Sequence, residues 1–145
     1  MSQAGGTWRD RRILQEILLI APQFSEVIYD DELYRWVILP DYPLPAKWAE
    51  RQAALLIVLP EGYPVTPPIG FYLNRKFRLK DGRRDPHLLS FSAHGAPDLA
   101  ASGWKWYCVQ VLEAERGGWQ ASADFRKRDN LQSLLTLVEE VLTND

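Results

Sequence analysis

Leu59-Pro60-Glu61-Gly62-Tyr63-Pro64-Val65-Thr66-Pro67-Pro68-Ile69-Gly70-Phe71 is the stretch whose reading decides the fold. An apolar run ends at Pro60, a Tyr-Pro pair turns the chain, and Pro67-Pro68 stiffens its return. Each proline fixes its own φ and pushes the preceding residue out of the helical region, so prolines at 60, 64, 67 and 68 hold one bent, extended path. The run before the turn, Ala53 to Leu59, is almost wholly apolar, which in a strand implies burial on both faces and a central place in a sheet. Ile69 to Leu73 follows as the next strand.

Toward the N-terminus, Phe24 to Tyr29 and Leu33 to Leu39 are rich in β-branched and aromatic residues and are separated by Asp30-Asp31, so they read as two antiparallel strands. Pro40 to Pro45 is a proline-rich connection. Thr7 with Asp10 three residues on resembles a capping box, and Ile13, Leu14, Ile17, Leu18 and Ile20 recur at helical spacing until Pro22, which predicts a helix over 8–20. Met1 to Gly6 reads as a flexible tail, and residues 7–145 as a single domain.

Toward the C-terminus, Arg75 to Ser102 holds basic residues, Asp-Gly, Asp-Pro, His-Gly and Ala-Pro with only short apolar clusters. A loop of that length in a compact domain is usually functional. Trp104 to Leu112 returns to aromatic and β-branched residues, and Gly117-Gly118 breaks it. Asp129 as N-cap, Gln132 three residues later, and Leu131, Leu134, Leu135, Val138, Val141 and Leu142 on one face predict a final helix. Helix, four strands, a long irregular segment and helix add up to an α+β domain, its antiparallel sheet covered by helices on one face.

Composition excludes several function classes. A net charge of -2 over 145 residues gives no basic field to hold phosphate backbones, so nucleic acid is not an expected partner. The single cysteine forms no internal disulfide, and no Cys/His pairs stand at zinc-ligand spacing, so neither a metal nor another cofactor is expected. No stretch of 18 apolar residues and no secretory leader pattern occurs, and the chain reads as soluble and cytoplasmic, with no membrane partner.

With these elements in order, the chain resembles the ubiquitin-conjugating (UBC-like) superfamily, in particular its divergent bacterial members. Four features carry the resemblance. The first helix bears Arg9, Arg11 and Arg12; the central strand leads into Tyr63-Pro64-Val65-Thr66-Pro67-Pro68; Gly103 to Leu112 resembles the family's glycine, spacer and catalytic cysteine, with Cys108 in place; and Trp119 follows the cysteine. The resemblance implies a UBC-like fold with an N-terminal helix, a four-stranded antiparallel sheet, a long active-site loop and a C-terminal helix, without the later family helices. It also implies that Arg9, Arg11 and Arg12 meet an activating enzyme, and that Tyr63, Pro64, Val65, Pro67 and Pro68, with Trp119, Gln120 and Ala121, form two partner-binding loops. The implied partners are a ubiquitin-like modifier, its activating enzyme, and a modifier-cleaving peptidase from the same operon.

In the catalytic reading Cys108 takes the modifier as a thioester and passes it to a target amine. Sulfur suits this because it is nucleophilic near neutral pH yet leaves well when an amine attacks. The family's His-Pro-Asn tripeptide is missing: the loop offers Pro86-His87 and His94-Gly95 with no asparagine near either. His94 and His87 are candidate donors or orienters of the lysine, and Asp98 and Asp124 candidate bases. Two alternatives stay open beside the enzyme: an inactive UBC-like module that scaffolds a modifier or activating enzyme, with Cys108 a buried apolar residue, and a small adaptor built on the proline loop.

Overall fold

The computed structural model describes residues 7–68, 70–74, 88–89, 104–108 and 118–143. Helix α1 (Trp8–Ile20) begins where Thr7 Oγ1 accepts the Asp10 N–H at 2.9 Å, and it runs into a 3₁₀ turn at Ala21–Gln23 that contains Pro22. Its inward face is Ile13, Ile17 and Ile20, together with Arg12 and Glu16. The helix expected over 8–20 is the helix found.

Strands β1 (Ile28–Tyr29) and β2 (Trp36–Pro43) pair antiparallel, with Ile28 opposite Ile38. β1 starts later than the expected 24–29 and β2 later than the expected 33–39, and for β2 Asp30 is the reason. Its Oδ1 accepts the N–H groups of Glu32 and Leu33, its Oδ2 accepts that of Arg35, and Tyr34 takes a φ of 53°, so residues 31–35 belong to a turn. At its other end β2 continues through Pro40, which has no N–H to give the ladder. The register with β3 (Gln52–Val58) shifts there, between Leu39 and Tyr42. The expected proline connection therefore begins inside the strand.

β3 is central, as its apolar run predicts. Leu55 and Ile57 face the main core while Leu56 is buried on the other side with Tyr72 and Trp106. β4 (Gly70–Leu73) pairs antiparallel with β3, and the Tyr63-Pro64 peptide in the turn between them is cis. The expected four-stranded sheet is an undercount. β6 (Lys105–Cys108), from the aromatic segment, pairs antiparallel with β4, and β5 (Leu88–Leu89), which falls inside the stretch expected to be irregular, adds to β6, so the described residues form six strands in the order β1-β2-β3-β4-β6-β5.

Helix α2 (Leu131–Thr143) buries Leu131, Leu134, Leu135, Val138 and Leu142. Its cap is Asn130, one residue after the expected Asp129: Asn130 Oδ1 accepts the Ser133 N–H at 3.0 Å and Ser133 Oγ accepts the Asn130 N–H at 2.8 Å, a reciprocal box. At the far end Trp48 Nε1 donates to the Leu142 carbonyl at 2.8 Å, satisfying one of the acceptors a helix C-terminus leaves open. Both helices contribute to the main core on one face of the sheet, and the smaller Leu56, Tyr72 and Trp106 cluster occupies the other.

Candidate active site

The Tyr-Pro turn is held from two sides. Tyr63 is buried and its hydroxyl donates to Glu16 Oε1 on α1 at 2.5 Å, while Trp119 Nε1 donates to the Pro64 carbonyl at 2.7 Å. The Tyr63 and Trp119 rings lie 6.1 Å apart. The two expected partner loops are thus brought together. Within the first, Pro64, Pro67 and Pro68 are buried and Val65 stands out at 77% exposure; within the second, Gln120 is exposed and Ala121 partly so.

Glu16 is the hub of this region, and the sequence reading passes over it. Its carboxylate accepts from Arg12 Nε at 2.5 Å, from the Tyr63 hydroxyl, and from the N–H of Leu131 at 2.6 Å, where helix α2 begins. One buried carboxylate therefore ties α1, the Tyr-Pro turn and α2 together. Burial raises the Glu16 pKa above its ordinary 4.5, against the lowering effect of those three partners. Burial and the Glu16 charge push Tyr63 well above 10.0, which keeps its phenol a donor. The signal that could have revealed the hub is an acid at i+4 from an arginine, between Ile13, Ile17 and Ile20 on the apolar face.

The three arginines expected to meet an activating enzyme part company. Arg12 is 2% exposed and spends its guanidinium on Glu16 and, at 2.5 Å, on the Ser122 carbonyl, so it serves the interior and offers no surface. Arg9 donates to the carbonyls of Leu33, Tyr34 and Pro60, stitching α1 to the β1–β2 turn and to the end of the central strand segment. Arg11 alone of the three is exposed.

Cys108 closes β6, and its backbone stands in register with Gly70 of β4. His87, His94 and Asp98 lie outside the described residues. Asp124 is described, and it serves a turn. Its Oδ1 accepts the Arg126 N–H at 2.9 Å and Arg126 Nε at 3.3 Å, and the Arg126 N–H is the foremost cause holding its carboxyl below the ordinary 3.8. Asp129 joins the second loop to α2: its Oδ2 accepts the Gln120 N–H at 2.7 Å and its N–H donates to the Gln120 carbonyl. Among the described residues no group of three His, Cys, Asp or Glu side chains could hold a metal ion, and no helix is long and apolar enough to cross a membrane.

No curated protein and no solved structure matches the sequence significantly. The model of a family described as prokaryotic E2 family E does match, over residues 9–145. That span takes in α1 from its second residue, the clamped Tyr-Pro turn, the strand that carries Cys108, and α2. The chain belongs to prokaryotic E2 family E, a bacterial branch of the UBC-like proteins.

Proposed function

We propose that this protein carries a ubiquitin-like modifier on Cys108. The Cys108 thiolate attacks the carbonyl carbon of the modifier's C-terminal thioester on an activating enzyme. A new C–S bond forms, the old one breaks, and the activating enzyme's thiolate leaves. A target lysine amine then attacks the same carbon, an amide C–N bond forms, Cys108 leaves as thiolate, and the amine's proton passes to solvent or to a nearby base. The observation that supports this reading most is that a chain of an E2 family has one cysteine, and that it lies in a strand of the sheet, β6. Exposed Arg11 is the proposed contact with the activating enzyme, and Val65 with Gln120 the proposed face for a later partner.

The oxyanion that forms during aminolysis needs donors, and the family's asparagine has no counterpart near His87 or His94. That departure favours a second reading, an inactive module that binds modifier or activating enzyme without accepting a thioester. Incubation with the cognate activating enzyme, modifier and ATP, resolved on a non-reducing gel, separates the two. A thiol-sensitive adduct lost in Cys108→Ala is the outcome expected of the carrier. Absence of an adduct from an activating enzyme that has charged itself sinks the carrier, and co-elution of the two proteins without an adduct is what the binding module gives.

A further inference from the structure

The residue across the ladder from Cys108 is a glycine, and the surroundings of that glycine leave it no alternative. Gly70 is buried, and a Cβ built on it would come within 3.0 Å of the Tyr107 carbonyl oxygen and of the Trp106 indole. The carbonyl is backbone and cannot swing aside. The indole belongs to a side chain only 2% exposed, packed with Leu56 and Tyr72 on the sheet face away from the helices. The other rungs of this ladder pair Phe71 with Tyr107, Tyr72 with Trp106 and Leu73 with Lys105, and the Phe71 and Tyr107 rings stack 5.0 Å apart. Of the four rungs, the one that ends in Cys108 is the one with no side chain on β4. Glycine in a strand often marks a place where another backbone approaches closely; here that backbone is the strand carrying the cysteine.

We propose that Gly70 is a positioning residue for Cys108: its missing Cβ lets Trp106 and the Tyr107 backbone close on β4, which sets where the end of β6, and with it the nucleophile, stands. The proposal rests on Cys108 as modifier carrier. Its physical content is a displacement. A methyl at position 70 must push β6 away from β4 at the Cys108 rung, and misplacing a reacting group by 1 Å costs on the order of 10²-fold in rate.

The test uses Gly70→Ala and Trp106→Phe beside the wild-type chain. Two quantities are measured well below each variant's unfolding midpoint: the rate of thiol-sensitive adduct formation at saturating activating enzyme, and the pH profile of Cys108 alkylation by iodoacetamide. The expected result is at least tenfold slower loading in Gly70→Ala and several-fold slower loading in Trp106→Phe, with displaced alkylation profiles. Where the wild-type chain loads, the loading rate decides, and wild-type loading by a folded Gly70→Ala overturns the proposal even if its midpoint falls. Should Gly70→Ala not fold, Trp106→Phe decides by the same criterion. If the wild-type chain accepts no modifier, the carrier function fails and the alkylation profile alone decides. A displaced profile then keeps the positioning role, and an unchanged one overturns it.

Discussion

The region around Glu16 and the region around Gly70 hold their neighbours in opposite ways. At Glu16, α1, the Tyr-Pro turn and α2 converge because side chains reach across them: a carboxylate takes three donors and a guanidinium reaches both that carboxylate and the Ser122 carbonyl. At Gly70, β4 and β6 approach because a side chain is missing. The first arrangement is broken by subtraction, since removing one partner strands another buried polar group. The second is broken by addition. The scaffold that presents Val65 and Gln120 thus depends on polar contacts to main chain, while the strand of Cys108 depends on a backbone ladder and aromatic packing.

The largest effect expected from subtraction is Glu16→Ala. It leaves the Arg12 guanidinium buried without its counter-charge, a loss of about 3–5 kcal/mol by analogy with other buried pairs broken on one side. Urea unfolding at neutral pH measures it, and a loss under about 1 kcal/mol would show that Arg12 finds water and that Glu16 is no hub. Trp119→Phe comes next. It keeps an aromatic ring beside Tyr63 but removes the donor to the Pro64 carbonyl, so about 1–3 kcal/mol is expected from the orphaned acceptor. If the turn and second loop form one partner face, binding of a protein that contacts Val65 should weaken along with stability. Unchanged binding would separate the two loops. Asn130→Ala removes a cap and should cost about 1 kcal/mol, whereas Asp129→Ala should leave the helix boundary in place and loosen Gln120 instead, a difference visible in amide exchange of residues 120 and 133.

How much of this was legible in the sequence follows the same division. Helices show well because their signals are local: Thr7, the isoleucines and Pro22 bound α1, and the leucine stripe gives α2. Asp129 and Asn130 both offer a capping oxygen, and only tertiary packing, which turns Asp129 toward Gln120, decides between them. The central strand was readable from Ala53 to Leu59 because burial on both faces leaves a continuous apolar run. β6 is readable as aromatic residues but not as a partner of β4, since that pairing joins segments some thirty-five residues apart in sequence. Tyr63, Pro64 and Trp119 stand out through the family resemblance and do meet, whereas the same resemblance places Arg12 on a partner-facing surface, and only its burial against Glu16 shows that it serves the interior. Gly70 stood in the opening motif unremarked, its reason lying thirty-odd residues away in Trp106 and Tyr107.

The smallest expected effect is a slope, and it sharpens the account of the hub most directly. Burial raises the Glu16 pKa above 4.5, so between 4.5 and that raised value the folded protein keeps a proton the unfolded chain has released. Stability from this group is then fully present below 4.5 and declines as pH rises through the folded-state value, opposite to the behaviour of a carboxylate whose pKa is lowered. Glu16→Gln cannot ionise and should lack the decline. Urea midpoints of the two proteins, taken from pH 4.5 upward, should therefore diverge, the wild type losing ground to the variant as pH rises. A constant difference would mean that Arg12, Tyr63 and the Leu131 N–H outweigh desolvation and hold Glu16 ionised throughout. The clamp would then be an ordinary buried ion pair, insensitive to pH over the same range.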